Sequence, residues 1–155
     1  HAGWRGTVNR ILAKTLHRMQ SAYGTEGTDV IACIGPGISL DSFEVGDEVY
    51  EAFRTENFPM EYISVWKPET HKYHIDLWAA NRLQLSDFGV PSRQIENAGI
   101  CTYRQHEDFF SARRLGIKSG RILSGIMLNG QEKGERKYRL YLKELQFMAT
   151  FVPCR

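Results

Sequence analysis

The sequence predicts an α+β (mixed α/β) fold: a mixed sheet packed with helices and incomplete at its N-terminal side. Segments with helical apolar periodicity alternate with short β-branched segments that are typical of strands. Glycine or proline ends most of these segments. The pattern contains about four strands, fewer than the five or six of a typical sheet, so we expect the missing strands upstream of the first residue.

The helical pattern is clearest in the stretch that follows residue 6. Gly24 is its expected C-cap, because glycine accepts the left-handed backbone found there. The next segment, 28–34, is short and β-branched and predicts a buried strand that ends at Gly35-Pro36-Gly37. The residues that recur at i, i+3 and i+4 spacing in the first helix are Val8, Ile11, Leu12, Thr15, Leu16, Met19 and Tyr23.

A second helix is expected after the glycines, with Asp41 or Ser42 as its N-cap. Residues 62–66 predict a strand, and Pro68 then opens a polar loop. A third helix is expected over 74–88. The second helix would present Val45, Val49, Ala52 and Phe53 on one face.

The last third of the predicted domain is more irregular. Residues 95–100 predict a short strand, 109–114 a compact mixed segment, and 122–128 the last core strand. The following residues are mostly charged before an apolar ending. We therefore divide the chain into a domain over residues 1–130 and an extension of unknown structure over residues 131–155.

Composition excludes several classes of protein. Hydrophobic residues make up 42% and charged residues 25%, as in ordinary globular domains. The net charge of +2 does not favour nucleic acid as a partner. No apolar stretch is long enough to span a bilayer, so no membrane partner is expected. The three widely spaced cysteines argue against a disulfide framework and favour a reducing compartment, the cytoplasm.

The opening hexapeptide HAGWRG is the first candidate site. Histidine is the commonest metal ligand, and glycines let backbone approach a ligand closely. Arg5, expected just before a helix, is suited to an anion because its planar guanidinium matches phosphate. Trp4 stacks on a flat ring or simply packs. On spacing alone, a surface turn with a frayed His1 is the more common outcome of such a pattern.

Three other segments invite a functional interpretation, and each has a structural one. The strand–turn–helix pattern of 35–49 places backbone donors at a cleft or only connects two elements. His71 and His74 are interpreted as solvated loop histidines, followed by a helix-capping Asp76. The segment 101–121 gathers arginines that suit an anion or form a solvated basic turn, and its Cys101 is more often a small buried residue.

Several motifs together resemble the laccase-domain family, also called polyphenol oxidase or peptidoglycan editing factor. The resemblance covers about residues 1–129. HAGWRG combined with FFSxRR is specific, whereas each alone is only suggestive. The matching motifs, in order, are HAGWRG at 1–6, IGPGI with FEVG at 34–46, ICTY at 100–103, FFSARR at 109–114 and SGRILSGIML at 119–128.

The resemblance implies a metal, usually zinc and alternatively copper, held by two histidines and a cysteine. His1 corresponds to the second histidine and is assigned as a metal ligand and catalytic residue, with the other ligands expected upstream. None of the three cysteines matches the ligand cysteine. We therefore interpret the chain as a truncated copy. Arg5, as a catalytic and substrate-binding residue, and Ser111 and Arg113, as substrate-binding residues, complete the predicted site.

The resemblance also implies the reaction. The expected activity is metal-dependent phosphorolysis of adenosine, inosine, guanosine and methylthioadenosine, together with adenosine deamination, so the partners are purine nucleoside and phosphate. Two enzyme alternatives remain: copper-dependent oxidation of polyphenols, and hydrolytic editing of peptidoglycan precursors. A non-catalytic binding module is the third alternative, supported only by the basic and aromatic tail over residues 133–143.

Overall fold

The helical segment at the start of the chain is divided into two helices in the computed structural model, which describes residues 1–125. Helix α1 spans Trp4–Val8 and helix α2 spans Ile11–Tyr23. Arg10, between them, has φ 54° and therefore turns the chain through left-handed backbone. Gly24 caps α2 with φ 67°, as predicted.

The segment predicted as a buried strand forms only the short strand β1, Ala32–Ile34, after a 3-10 turn at Gly27–Asp29. The strand was predicted to be buried, which is wrong for Cys33, the central residue of β1, because Cys33 is exposed. The expected cap of the second helix is also wrong. Asp41 lies in a 3-10 turn, Leu40–Ser42, and a two-residue strand β2, Glu44–Val45, follows it.

Helix α3 begins after that strand and spans Asp47–Thr55, with Gly46 as its N-cap. Val49 and Phe53 are buried on its inner face, as the apolar spacing predicted. The predicted strand over 62–66 starts later than expected, because helix α4, Met60–Ile63, takes its first residues.

Strands β3, Ser64–Lys67, and β4, Lys72–Ile75, form an antiparallel hairpin. The hairpin was missed because 74–75 continue smoothly into the helical pattern of the next segment. The third predicted helix corresponds to α5, Leu77–Asp87, which begins three residues later than predicted because β4 takes residues 74 and 75. Asp76 caps it as predicted, since its Oδ1 accepts a 2.9 Å hydrogen bond from the Ala79 amide.

The final described segments are β5, Ile95–Asn97, and α6, Ala112–Leu115. No strand forms over residues 122–125, so that part of the predicted last strand is wrong. Its remainder, the boundary near Gly130 and the extension over 131–155 lie outside the described residues.

The strands of residues 1–125 form two sheets, one parallel and one antiparallel, so the α+β class is confirmed. Strands β1 and β5 pair in parallel, and the other three pair antiparallel in the order β2-β4-β3. After β1 and β5, the same two segments pair once more, through an isolated parallel bridge between Gly37 and Cys101. No helix in the described part of the chain has the length and apolar character needed to cross a membrane.

The core consists of two apolar clusters, and helix α5 contributes to both. The larger cluster contains Leu77 and Ala80 of α5, and the smaller contains Leu85. The larger also holds Val8, Phe43, Val45, Val49, Phe53, Phe58, Met60, Ile63 and Ile75, and the smaller holds Leu16, Val30, Val90 and Ile95.

We expect Phe53→Ala to destabilise the chain by about 3–5 kcal/mol, because it leaves a cavity at a fully buried ring. Tyr23→Ala, at an aromatic residue that is 83% exposed, is the matched control and should change stability by less than about 1 kcal/mol. Urea unfolding followed by circular dichroism measures both. Similar losses for the two variants would contradict the assignment of the core.

Candidate functional site

The HAGWRG turn holds the imidazole of His1 against its own backbone. A Cβ atom built at Gly3 would lie 2.6 Å from Nε2 of His1, and one built at Gly6 would lie 2.7 Å from the His1 carbonyl oxygen. At position 6 only glycine leaves room for the His1 carbonyl oxygen, whereas a Cβ atom at position 3 would meet the end of the His1 side chain. The ring is nevertheless exposed to solvent, so His1 lies on the surface of a tightly packed turn.

Arg5 is placed differently from the expectation. Because α1 begins at Trp4, Arg5 lies within the helix and not before it. Its guanidinium lies 4.4 Å from the centre of the Trp4 ring, a cation–π distance. Trp4 itself packs against the larger apolar cluster. Arg5 is thus an exposed cation supported by a packed indole.

A polar cleft of about 400 Å³ lies beside β2. The 3-10 turn before β2, the strands β2 and β4, the loop after Cys101 and helix α6 all contribute to its walls. It contains two guanidinium groups, an imidazole, a phenol and two carboxylates. The lining residues are Asp41, Ser42, Glu44, His74, Tyr103, Arg104 and Arg113.

Arg113 is fixed to the wall of this cleft. Its Nη1 donates a 2.8 Å hydrogen bond to the Glu44 carbonyl oxygen, and its guanidinium lies 5.3 Å from the Phe43 ring centre. Ser111 is buried and acts as the N-cap of α6, since its Oγ accepts a 3.4 Å hydrogen bond from the Arg114 amide. Ser111 therefore orients the start of the short helix that carries Arg113.

The interpretation of His74 as a solvated loop residue is wrong. His74 is buried in β4, its Nδ1 lies 2.9 Å from the Leu40 carbonyl oxygen, and its Nε2 lies 3.8 Å from Glu44 Oε2. His71 is exposed, in the turn between β3 and β4, as expected. Hydrogen bonds from Thr70 and Lys72 lower the pKa of the Glu44 carboxyl group.

Glu44 and His74 were missed as cleft residues because they are thirty residues apart and meet only through pairing of β2 with β4. The FEVG motif was the available signal for Glu44. Arg104 was among the noted arginines, but its partner is Asp41, at 3.0 Å, and not a neighbouring acid in its own segment.

Cys101 is buried beside the cleft, in agreement with the structural interpretation of this residue. Burial by itself raises the pKa of its thiol, but hydrogen bonds to Sγ outweigh that effect and lower the pKa to about 6. The Ser39 hydroxyl lies 3.1 Å from Sγ, the Ser39 amide 3.4 Å and the Ser42 hydroxyl 3.5 Å.

The predicted site residues fall into two groups. His1 and Arg5 lie on the opening turn and α1, whereas Ser111 and Arg113 lie at the cleft. The link between them is the larger apolar cluster, against which Trp4 packs and which includes Phe43 under the Arg113 guanidinium.

His1 fits the role of one metal ligand. Its imidazole is exposed, and the space over Gly3 that it occupies would be filled by any Cβ atom. Among residues 1–125, no group of three or more histidine, cysteine, aspartate or glutamate side chains is arranged to hold a metal ion. Within residues 1–125, His1 therefore has no such group around it, and the other ligands that the resemblance implies stay a prediction.

Comparison with known proteins gives the family. The family model described as multi-copper polyphenol oxidoreductase laccase matches residues 1–129. The chain belongs to this family. This confirms the resemblance derived from the HAGWRG and FFSxRR motifs. The motif order, and not any single residue, was therefore a sufficient signal for the laccase-domain family.

Related laccase-domain proteins carry names of purine enzymes. The chain is 67% identical over 129 residues to a purine nucleoside phosphorylase of Bacteroides thetaiotaomicron, covering 83% of the chain and 48% of that protein. It is 50% identical over 126 residues to adenosine deaminase RL5 of an unknown prokaryotic organism, covering 81% and 48%. The chain thus spans about half the length of these relatives.

Solved structures of the laccase-domain family have the same fold. YlmD from Geobacillus stearothermophilus aligns with a TM-score of 0.65 and 35% identity, covering 74% of this chain and 42% of that one. The YfiH protein of Bacillus licheniformis aligns with a TM-score of 0.66 and 32% identity, covering 74% and 43%. The mixed α+β architecture of the chain is shared with both.

The Cys101 thiol should titrate with a pKa of about 6 in a chain whose Cys33 and Cys154 are replaced by serine. Ultraviolet absorbance of the thiolate measures the midpoint. Ser39→Ala should raise it, because two hydrogen bonds to Sγ come from that residue and one is removed. Ser21→Ala, at an exposed serine on α2, should leave it unchanged.

The sign of the stability effect follows from the lowered pKa. The folded state binds the thiol proton less tightly than the unfolded chain, so the thiolate stabilises the fold above the ordinary thiol pKa of 9.0 and this stabilisation is lost as the pH falls through about 6. If the Cys101 thiol titrated at the ordinary thiol pKa both in the parent chain and in the Ser39→Ala variant, the assigned hydrogen bonds would be contradicted.

Proposed function

We propose that the protein containing this chain is a zinc-dependent purine nucleoside phosphorylase of the cytoplasm, which acts on adenosine, inosine, guanosine and methylthioadenosine and also deaminates adenosine. The observation that carries the proposal is the 67% identity to a protein named purine nucleoside phosphorylase. The chain covers 48% of that protein, so the activity is proposed for the complete gene product.

In phosphorolysis, a phosphate oxygen forms a bond to ribose C1′ while the bond from C1′ to the purine nitrogen breaks. The purine leaves with the bonding electrons and takes up a proton. The protein must therefore hold the anionic nucleophile near C1′ and tolerate charge that develops on the base. A guanidinium group that is already fixed in place serves this purpose without reorganisation.

Arg113 is the residue we assign to the phosphate. Its hydrogen bond to the Glu44 carbonyl oxygen uses one N–H group, and the guanidinium has further N–H donors for a phosphate, which arginine binds in bidentate geometry. Arg5, exposed above Trp4, is the second candidate. Ser111 contributes by capping the helix that carries Arg113, and its contact with substrate stays a prediction.

His1 is the residue we assign to the metal. The neutral imidazole would coordinate zinc, with copper as the alternative, and the remaining ligands would come from outside the described residues. When bound, zinc supplies Lewis-acid activation of an oxygen ligand and lowers the pKa of a bound water. The glycines at positions 3 and 6 leave room for the His1 ring and the His1 carbonyl oxygen.

A direct assay separates this proposal from its alternatives. The full-length gene product, loaded with zinc or with copper, is given inosine and phosphate in one experiment and a phenolic dye in another. We expect release of hypoxanthine and ribose 1-phosphate. The description of the family model favours phenol oxidation as the second candidate. Oxidation of the dye without phosphorolysis would overturn the proposal in favour of that candidate.

Peptidoglycan editing and a non-catalytic binding role predict no phosphorolysis under these conditions, so its absence with both metals would also overturn the proposal. Hydrolysis of a muropeptide precursor by the same preparation would then identify an editing enzyme. Failure to turn over any of the three substrates would favour a binding module.

Arg113→Ala in the full-length protein should raise the phosphate Michaelis constant about 10–100-fold, because a charged hydrogen-bonding group contributes about 1.5–3 kcal/mol. Arg54→Ala is the matched control, since Arg54 forms its ion pair with Glu51 on the surface of α3. Steady-state kinetics with varied phosphate measures both. An unchanged phosphate Michaelis constant in the Arg113 variant would remove this residue from the phosphate site.

The 155-residue chain alone should not retain zinc tightly, because a catalytic site uses three protein ligands and no group of three potential ligands is arranged for a metal within residues 1–125. Elemental analysis after dialysis against a chelator should find well below one zinc per chain. Stoichiometric, chelator-resistant zinc would contradict this expectation, and a His1→Ala variant would then show whether His1 takes part in binding it.

A further inference from the structure

A buried hydrogen-bond network connects the HAGWRG turn to helix α5. Thr7 is 0% exposed and Asn81 is 6% exposed. The Thr7 hydroxyl donates to the Ala2 carbonyl oxygen at 3.0 Å and accepts from Asn81 Nδ2 at 3.1 Å. The same Asn81 nitrogen donates to the Leu77 carbonyl oxygen at 2.7 Å. The first turn of the chain is therefore held by a helix more than seventy residues away.

Gln84, one helical turn further along α5 and 1% exposed, holds the junction between α1 and α2. Its Nε2 donates to the Thr7 carbonyl oxygen at 3.3 Å, and its Oε1 accepts from the Ala13 amide at 3.3 Å. That amide lies in the first turn of α2, where backbone donors have no partner within the helix. One side chain thus satisfies groups on both sides of the left-handed residue Arg10.

The network reaches His1 through two short steps. The Thr7 amide donates to the Gly3 carbonyl oxygen at 2.8 Å, and the Thr7 hydroxyl binds the Ala2 carbonyl oxygen. Both carbonyls belong to the peptide segment that follows His1 directly. The imidazole then rests over Gly3, where a Cβ atom would lie 2.6 Å from its Nε2. Thr7 therefore fixes the backbone from which the His1 side chain projects.

We infer that Thr7, Asn81 and Gln84 are positioning residues that hold the His1 imidazole, and the helix bearing Arg5, in the orientation the metal site requires. This inference rests on the proposed role of His1. Buried polar groups on the core-facing side of α5 need a reason, because an apolar pair of similar shape would remove the cost of their desolvation. Fixing the direction of an exposed ligand in the turn before a short helix supplies that reason.

A merely structural role predicts something different. If the network only stabilised the fold, its loss would lower the free energy of unfolding and leave the affinity of the folded protein for zinc unchanged. If it positions His1, the affinity of the folded protein falls as well, because a misdirected imidazole must be reordered on binding. Groups that orient metal ligands typically change metal affinity about 10–100-fold when altered.

The test uses the full-length gene product and zinc alone as the probe. Thr7→Val keeps the shape of the side chain and removes the hydroxyl, and Thr7→Ser keeps the hydroxyl. Gln94→Met is the matched control, because it removes two side-chain hydrogen bonds, to the Thr28 and Val30 carbonyl oxygens, far along the chain from the turn. Chelator competition measures the zinc dissociation constant, and urea unfolding measures stability.

We expect Thr7→Val to weaken zinc binding about 10–100-fold, Thr7→Ser to retain most of the affinity, and Gln94→Met to lose stability without losing affinity. Gln84→Met provides a second variant if Thr7→Val fails to fold, and it should also weaken zinc binding. Unchanged zinc affinity in a folded Thr7→Val or Gln84→Met protein would overturn the inference, as would an equal loss in Gln94→Met.

His1→Ala distinguishes failure of this inference from failure of the proposed function. If His1→Ala abolishes tight zinc binding while the Thr7 and Gln84 variants bind normally, His1 is a ligand and the network does not position it. If His1→Ala leaves zinc binding intact, the proposed metal role of His1 fails first, and the positioning inference falls with it.

Discussion

The burial of helix α5 between two apolar clusters is the constraint on which the described structure depends. Leu77 and Ala80 pack into one cluster and Leu85 into the other, so the helix joins the two parts of the core. Between these apolar contacts lie the amides of Asn81 and Gln84, which are buried and bonded to the opening turn. The position of the HAGWRG turn is therefore set by the core and not by its own six residues.

The same core also supports two distant parts of the sequence. The opening turn is held by hydrogen bonds that lead to α5, and the FFSARR segment is held by the hydrogen bond from Arg113 to β2. Both segments contact the larger apolar cluster, through Trp4 and through Phe43. Rigid support on one core lets short loops and short helices carry polar groups that would otherwise be mobile.

The sequence predicted those features whose signals are local. Gly24 and Asp76 cap helices for reasons that can be read at their own positions, and the order of the motifs identified the family. Features that depend on contacts between distant segments could not be predicted from the sequence. His74 looked like a loop histidine because only the pairing of β2 with β4 buries it beside Glu44. The polar partners of the opening turn were equally invisible, since they lie more than seventy residues away.

Arg10, between α1 and α2, combines a strained left-handed backbone with stabilising side-chain contacts. A non-glycine residue in this conformation costs roughly 1 kcal/mol or more. Its side chain repays that cost, because Nη2 donates a 2.8 Å hydrogen bond to the Glu56 carbonyl oxygen and the guanidinium lies 4.4 Å from the Phe58 ring centre. Replacing Arg10 with glycine would remove both the backbone strain and the side-chain contacts with Glu56 and Phe58. The angle between α1 and α2 would then be less constrained.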